Sequence, residues 1–279
     1  MKLKIESPIV SVEWLYENIN AENLIVLDAT ITKVGTKEIT KEEKQQIPNT
    51  IFFDLKNVFL DNEGLYPNTI PTKENFEEEV QKLGINKNSS IVVYDRIGVY
   101  SSPRVWWMFK AFGFENITVL NGGFPSWLKN NYPVEVLKLK QVIKGDFIAD
   151  FKTENISLTN NVLQASKNKK LILDARSKGR FYAIEPEPRA DLRSGHIPNS
   201  KSLPYSELQI EGKMRAKEEI QKIFLDLNPN KEDVIFSCGS GITACILALG
   251  SEIAGYKRYK MYDGSWTEWA SNLELPIEK

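Results

Sequence analysis

Apolar and polar residues follow two different periods along the chain. Short apolar runs bounded by turn residues predict buried strands, and longer segments with apolar residues three or four positions apart predict helices. The predicted strands cover residues 24–28, 91–94, 117–120, 171–174, 234–236 and 259–261. The predicted helices cover about 11–19, 72–83, 103–112, 125–129, 159–166, 217–225, 244–249 and 265–272. This alternation predicts an α/β protein in which mostly parallel sheets carry helices on both faces.

Four segments of the first half recur in the second half, in the same order and about 145 residues later. The matched pairs are 26–29 with 172–175, 46–49 with 196–199, 91–95 with 234–238, and 121–127 with 263–269. A period of this length is too long for a solenoid and indicates two copies of one domain. We therefore predict a first domain at 1–137, a lysine-rich linker at 138–155 and a catalytic second domain at 156–279.

Cys238 stands between the apolar run at 234–236 and the helical pattern that begins at Ala244. It is therefore predicted at the carboxyl end of a strand, where open α/β sheets bind their ligands. Gly239 and Gly241 let the backbone curl so that several N–H groups point at the sulfur and stabilise a thiolate. A thiolate is a nucleophile, so Cys238 is a candidate catalytic residue. The alternative is a small buried packing residue, which is our interpretation of Cys245 in its apolar surroundings.

Charge and composition argue against several classes of function. Lysine and arginine number 36 against 37 aspartate and glutamate residues, and the net charge of −1 gives no support for binding nucleic acid or a membrane surface. No apolar run approaches the roughly 18 residues of a membrane span, and the first residues contain no apolar segment for secretion. Two cysteines close together cannot form a disulfide framework, so we expect a reducing, cytoplasmic location.

Longer motifs resemble those of a known family. They are Asp-Ala-Arg at 174–176, Gly-Arg-Phe at 179–181, Glu-Pro-Glu-Pro-Arg at 185–189, His-Ile-Pro at 196–198, Cys-Gly-Ser-Gly-Ile-Thr-Ala at 238–244 and Ser-Pro-Arg-Val-Trp-Trp-Met-Phe at 102–109. Together with the tandem repeat, they resemble the two-domain rhodanese-type sulfurtransferases along most of the chain. The loop at 238–244 is similar to that of the 3-mercaptopyruvate sulfurtransferases, whereas thiosulfate-preferring rhodaneses usually carry basic residues at the positions of Gly239 and Ser240.

The resemblance implies sulfur transfer without a metal or an organic cofactor. Cys238 would take the sulfur atom of 3-mercaptopyruvate, become a persulfide and release pyruvate. The implied partners are a small-molecule sulfur donor and a thiophilic acceptor, which is a thiol, thioredoxin or cyanide.

Two arginines match the substrate-binding arginines of the family. They are Arg180 and Arg189, and a guanidinium suits both a donor carboxylate and the negative charge that develops as sulfur departs. Glu185 and Glu187 lie close enough in sequence to be their partners. The alternative is that these residues form surface ion pairs only.

The remaining predicted site residues belong to the loop after Cys238. Ser240 and Thr243 can donate hydroxyl hydrogen bonds to the sulfur or to the leaving group, or serve as loop and N-cap residues, and the two roles can coexist. Gly239, Gly241 and Ile242 complete the predicted substrate-binding loop.

The first copy departs from the family at functional positions. Family members supply an aspartate and a histidine there for a proposed proton relay, but this chain has Lys56 and Asn68, so the relay is absent or rebuilt. Lys56 either adds positive charge near the thiolate, which favours anionic donors including thiosulfate, or is a solvent-exposed lysine. Asp95 occupies the position of Cys238, and because a carboxylate cannot carry a sulfane sulfur, the first copy is predicted to be a catalytically inert scaffold.

Two polar residues in the family motifs are interpreted as structural. Asp174, at the end of its strand, is expected to accept hydrogen bonds, and His196 is expected to support its turn rather than act as a general base.

Other functions remain open or can be excluded. A thiosulfate sulfurtransferase is the nearest alternative, and a non-enzymatic persulfide carrier is another. A cysteine phosphatase needs an arginine six residues after the cysteine, and Ala244 occupies that position, which argues against this class.

Overall fold

The computed structural model describes residues 2–31, 45–137 and 142–279 of the chain. The chain divides into two compact units. Unit 1 comprises Met1–Asn62, Pro71–Phe151 and Glu211–Met214, and unit 2 comprises Glu63–Ile70, Lys152–Ile210 and Arg215–Lys279. Positions 138–141 of the predicted linker lie outside the described residues. The boundaries 1–137, 138–155 and 156–279 stay a prediction.

A five-stranded parallel sheet organises unit 1. Its strands are β1 (Ile9–Val10), β2 (Leu24–Asp28), β4 (Thr50–Phe52), β5 (Ser90–Tyr94) and β6 (Ile117–Leu120), in the order β1-β6-β5-β2-β4. Two short strands, β3 (Gln45–Gln46) and β7 (Glu135–Val136), pair antiparallel, and β12 (Lys213–Met214) also lies in this unit. The helices are α1 (Val12–Asn18), α2 (Lys73–Lys82), α3 (Ser102–Ala111) and α4 (Gly123–Lys129).

Helices cover both faces of this sheet. Tyr94 of β5 packs in one apolar core with Leu15 of α1 and Trp127 of α4. Successive side chains of a strand point to opposite faces, so Val93 faces away from that core. Val93 is also fully buried, and α3 contacts β5. The second face is therefore covered as well.

Unit 2 repeats the architecture. Its parallel sheet contains β8 (Ile156–Ser157), β9 (Ile172–Asp174), β10 (Lys201–Ser202), β13 (Val234–Ser237) and β14 (Tyr259–Tyr262), in the order β10-β9-β13-β14-β8. The other elements are α5 (Thr159–Lys167), α6 (Lys178–Phe181), α7 (Lys217–Leu227), α8 (Ala244–Ile253), α9 (Ser265–Ser271) and the short strand β11 (Gln209–Ile210). Single 3-10 turns cover Thr153–Asn155 and Tyr205–Leu208. Because β13 is the central strand, the residue that follows it lies at the middle of the carboxyl edge of this sheet.

All predicted strands and helices are present, and the α/β class with tandem domains is confirmed. The edge strands β1, β4, β8 and β10 were not predicted, because two or three residues cannot display a period. Helix α8 runs past its predicted end at 249 to Ile253, since Gly250 is accommodated in the buried helix interior. Within the described residues, no helix is long and apolar enough to cross a bilayer.

Candidate active site

Cys238 directly follows β13 and precedes helix α8. Its thiol is free, and the residue is buried, with 1% of its surface exposed. The neighbouring strand β9 pairs Asp174 with Ser237, which fixes the backbone immediately before the cysteine. The structure therefore places Cys238 at the strand-to-helix turn that the sequence predicts.

The corresponding loop of unit 1 encloses a carboxylate. Asp95 Oδ1 accepts hydrogen bonds from the N–H groups of Ile97 (2.9 Å) and Gly98 (3.0 Å). Its Oδ2 accepts from the N–H groups of Tyr100 (2.8 Å), Ser101 (3.0 Å) and Ser102 (3.0 Å). Five backbone amides thus surround one buried negative charge, which is a typical anion-binding arrangement.

The loop of unit 2 carries the same anchor at its start. Trp266 N–H donates to Cys238 O at 2.9 Å, as Phe124 N–H donates to Asp95 O at 3.0 Å. Gly241 adopts the left-handed region (φ +79°), where glycine is favoured. Four of the amides around Asp95 are those of Ile97, Gly98, Tyr100 and Ser101. By position in the repeat, they correspond to the amides of Ser240, Gly241, Thr243 and Ala244. We infer that these amides can hold a thiolate or a persulfide.

Ser265 anchors the cysteine and was not predicted. Cys238 N–H donates to Ser265 Oγ at 3.2 Å, and the Ser265 hydroxyl donates to Tyr262 O at 2.8 Å. Ser265 Oγ also lies 3.9 Å from Cys238 Sγ. Ser265 has a φ of +51°, which is unfavourable for a residue with a side chain, and Gly123 has a φ of +52° at the same position of unit 1. The repeat contained a signal that this position differs, since the second copy has serine where the first copy has Gly123. The contact with Cys238 is visible only in the structure.

Ser240 accepts a hydrogen bond from Asn68. Asn68 Nδ2 lies 2.9 Å from Ser240 Oγ and 3.2 Å from Ser240 O. A backbone carbonyl can only accept, so this pair fixes the orientation of the Asn68 amide. The segment that contains Asn68 belongs to unit 2. Within this unit, Ile70 N–H donates to Asp263 Oδ2 at 2.8 Å.

The other residues of the Cys238 loop differ in their burial and in their contacts. Thr243 is the N-cap residue of α8, but its side chain makes no cap hydrogen bond. Ile242 is buried. A Cβ atom added at Gly239 would lie 3.1 Å from Arg180 Nη2, so glycine at this position allows the arginine to approach the loop. Cys245 is fully buried, and its Sγ donates to Gly241 O at 3.3 Å, which fits its interpretation as a packing residue.

Arg180 belongs to a buried ion cluster. Its Nη2 lies 2.6 Å from Glu187 Oε2, and Glu187 Oε1 lies 2.8 Å from Arg176 Nη1. Arg176 Nη2 also lies 2.7 Å from Asp174 Oδ2, which confirms Asp174 as a structural acceptor. Glu187 is therefore a partner of Arg180, as predicted. Glu185 is not, because it accepts from Ser177 Oγ at 2.9 Å.

Arg176 at the centre of this cluster was not predicted as a site residue, although it lies in the Asp-Ala-Arg motif. Burial acts to lower the pKa of its guanidinium, but the carboxylates of Asp174 and Glu187 outweigh burial and raise that pKa. Its guanidinium also lies 4.3 Å from the ring centre of Trp266. Arg176 thus stays charged and is held against the ring of Trp266, whose backbone N–H donates to Cys238 O.

Arg189 reaches the loop through Thr267. Arg189 Nη1 lies 3.3 Å from Thr267 Oγ1, which donates to Gly239 O at 2.7 Å. Within the described part of the chain, Arg189 forms no ion pair with a carboxylate. No carboxylate of the described residues therefore balances the positive charge of Arg189, whereas Glu187 balances that of Arg180.

His196 is structural, as predicted. Its Nδ1 lies 2.9 Å from Phe181 O, and its ring stacks on that of Phe181 at 3.8 Å. Lys56 lies in unit 1 with an exposed side chain, and its backbone N–H donates to Asp54 Oδ1 at 3.1 Å. A catalytic role of Lys56 stays a prediction.

Two tandem α/β units, with a buried cysteine at the strand-to-helix turn of the second, define a class of protein. Comparison with known proteins identifies the family. The Rhodanese-like domain matches residues 11–130 and 159–272, and the chain belongs to this family. The chain is 33% identical to the 3-mercaptopyruvate sulfurtransferase of Escherichia coli K12, with 96% of this chain and 97% of that protein covered. It is 36% identical to the mitochondrial thiosulfate/3-mercaptopyruvate sulfurtransferase 1 of Arabidopsis thaliana, with 97% and 78% covered.

Solved structures agree with this assignment. SseA of Escherichia coli superposes with a TM-score of 0.83 at 32% identity, over 94% of this chain and 99% of that chain. Tum1 of Saccharomyces cerevisiae superposes with a TM-score of 0.85 at 32% identity, over 98% of each chain. The rhodanese fold and the sulfurtransferase class predicted from the sequence are thereby confirmed.

Proposed function

We propose that the chain transfers a sulfane sulfur from 3-mercaptopyruvate to a thiophilic acceptor through a persulfide on Cys238. The observation that carries this proposal is the correspondence of Cys238 with Asp95, whose carboxylate accepts hydrogen bonds from five backbone amides. A loop of this kind suits a buried anionic sulfur. The names of the relatives from Escherichia coli and Arabidopsis thaliana support the donor.

The transfer takes place in two steps. The Cys238 thiolate attacks the donor sulfur and forms an S–S bond, while the carbon–sulfur bond breaks and its electron pair leaves with carbon as the enolate of pyruvate. The proton of the donor thiol, carried by the new persulfide, neutralises the enolate carbon. The acceptor then attacks the outer sulfur, the S–S bond breaks, and Cys238 leaves as a thiolate.

Two arginines bind the donor in this scheme. Arg189 has no carboxylate partner among the described residues, so it supplies net positive charge for the donor carboxylate. Arg180 approaches Gly239, next to the nucleophile, and its N–H groups offset the negative charge that develops on the enolate oxygen.

Asn68 and the loop hydroxyl groups assist the transfer. Because Asn68 donates to Ser240 Oγ, the Ser240 proton remains available for the sulfur or the leaving group. Thr243 is a second hydroxyl donor of the loop. Asn68 has no group that titrates at neutral pH, so the pair orients a proton donor and does not relay protons.

Thiosulfate is the alternative donor. Relatives from Arabidopsis thaliana carry both donor names, and a thiosulfate sulfurtransferase of Cricetulus griseus is 35% identical over 94% of this chain. The absence of basic side chains at Gly239 and Ser240 favours 3-mercaptopyruvate, because a dianion gains most from added cations.

Acceptor and location belong to the same proposal. A thiol or a thioredoxin-type protein supplies the attacking thiolate. Both Cys238 and Cys245 are free thiols, which suits a reducing compartment such as the cytoplasm, although one Arabidopsis thaliana relative is mitochondrial by name. Imaging of the tagged full-length chain in its native cells tests the location.

A donor comparison tests the proposed function. The full-length chain is supplied with 3-mercaptopyruvate or thiosulfate, with cyanide as the acceptor, and kcat/KM is measured for each donor. We expect the larger value for 3-mercaptopyruvate. A strong preference for thiosulfate would select the alternative donor, and turnover of neither donor would support a non-enzymatic persulfide carrier.

A further inference from the structure

The buried carboxylate of Glu187 binds two arginines, one through each of its oxygens. Its side chain is 1% exposed, with Oε1 on Arg176 and Oε2 on Arg180. Asp174, Arg176, Glu187 and Arg180 together carry two negative and two positive charges. A buried charge is tolerated only when it is paired, and this cluster is balanced.

Arg176 would be held in place without Glu187. Its Nε donates to Asp174 Oδ1 at 3.1 Å and to Oδ2 at 2.9 Å. Its Nη2 donates to Asp174 Oδ2 at 2.7 Å and to Gly195 O at 2.8 Å. Arg180 is different, because its side chain is 24% exposed and Glu187 is the only residue of the described chain to which its guanidinium donates. Glu187 therefore determines where the Arg180 guanidinium lies.

One nitrogen of the Arg180 guanidinium takes no part in the contact with Glu187. Glu187 accepts from Nη2 at 2.6 Å and from Nε at 3.4 Å, whereas Nη1 makes no hydrogen bond to the described residues. Nη1 and Nη2 both lie over Gly239, at 3.7 and 3.1 Å from the position that a Cβ atom would occupy there. Nη1 therefore lies beside the residue that follows the nucleophile, with N–H groups that no described residue accepts.

We infer that Glu187 is a positioning residue that fixes Arg180 over Gly239 with Nη1 directed at the donor, and that Arg176 holds Glu187 in place. This inference rests on the proposed donor-binding role of Arg180. It also assigns different tasks to the two arginines. Arg180 gives directed hydrogen bonds with its charge already balanced, and Arg189 gives the net charge that attracts the anionic donor.

The test compares the two half-reactions in variants of Glu187. In ping-pong kinetics, kcat/KM for the donor reports sulfur uptake by Cys238, and kcat/KM for the acceptor reports sulfur release. Glu187→Asp keeps the charge but shortens the reach by one methylene. With 3-mercaptopyruvate as donor and 2-mercaptoethanol as acceptor, we expect about a tenfold loss in kcat/KM for the donor and a change within about twofold for the acceptor.

Two further variants complete the design. Glu185→Gln changes an exposed carboxylate of the same loop and should stay within about twofold of wild type for both substrates. Arg180→Lys keeps the charge without Nη1, and adding Glu187→Asp to it should cause no further loss, since the two residues act as one unit. If Glu187→Asp fails to fold, Glu187→Gln takes its place, with the same expected loss for the donor.

The outcomes separate this inference from the proposed function. If Arg180→Lys leaves kcat/KM for the donor unchanged, the proposed role of Arg180 is wrong. If Arg180→Lys lowers it while the Glu187 variant does not, the positioning role alone is wrong. Equal losses in both half-reactions of the Glu187 variant indicate a purely structural residue and also overturn the inference.

Discussion

The side-chain amide of Asn68 donates to Ser240 Oγ over 2.9 Å, across 172 positions of sequence. The hydroxyl of this loop serine is therefore oriented by a side-chain amide, which does not titrate in the neutral range. The pair is fixed inside unit 2 by the bond from Ile70 N–H to Asp263. In the proposed mechanism, the orientation of the Ser240 hydroxyl is therefore independent of pH in the neutral range.

Replacing Asn68 by histidine should create a pH dependence that the wild type lacks. Asn68 has a φ of +64°, a conformation that histidine also tolerates. We expect the profile of kcat/KM for 3-mercaptopyruvate against pH to gain an inflection near the ordinary histidine pKa of about 6.5. The matched control is Asn131→His, at an exposed asparagine with a φ of +55°, and it should leave the profile unchanged. Superimposable profiles for Asn68→His and wild type would contradict the role of this pair.

Ser265 should stabilise the nucleophile loop through its hydroxyl. Ser265→Ala keeps the strained backbone but leaves Cys238 N–H buried without its partner, which costs about 1–3 kcal/mol of unfolding free energy. Ser265→Gly loses the same bond but suits a φ of +51°, so it should be the more stable of the two variants. Urea unfolding measures both. An alanine variant as stable as wild type would show that the hydroxyl does not anchor Cys238.

These two sites show what the sequence could and could not predict. The turn at Cys238 was predictable because an apolar run, two glycines and a helical pattern are contiguous. The links from Ser265 to Cys238 and from Asn68 to Ser240 join residues 27 and 172 positions apart, and no local pattern reports such contacts. The same holds for segment 63–70, which precedes the first copy's helix α2 but packs with unit 2.

Arg189 should contribute through its uncompensated charge. Loss of one charge-assisted contact costs about 1.5–3 kcal/mol, so Arg189→Ala should lower kcat/KM for the donor roughly 10- to 150-fold. Arg258→Ala is the control, because Arg258 pairs with Asp233 at an exposed position and should change kcat/KM less than about twofold. Wild-type kcat/KM of Arg189→Ala for every donor tested would refute the assignment.

Glu268 should make the stability of the protein depend on pH. Burial raises the pKa of its carboxyl, the hydrogen bond from Thr159 lowers it, and the charge of Asp263 raises it, with a net increase from 4.5. A raised pKa in the folded state gives stability that is fully present below the unfolded value and is lost as pH rises through the folded value. Glu268→Gln should therefore gain stability relative to wild type as pH rises above the ordinary value of 4.5 and through the raised pKa of the folded state.

Urea unfolding of both proteins at a series of pH values measures this difference. Parallel curves of unfolding free energy against pH would mean that Glu268 does not titrate differently in the folded and unfolded states.

The most direct test of the account is the intact mass of the protein after incubation with 3-mercaptopyruvate and removal of excess donor. The fold places Cys238 in the loop after β13, Cys245 within helix α8 and Asp95 in the matching loop of unit 1. Wild type and Cys245→Ser should each gain one sulfur atom, and Cys238→Ser should gain none. A sulfur retained by Cys238→Ser, or located on Cys245, would contradict the assignment of Cys238 as the sulfur carrier.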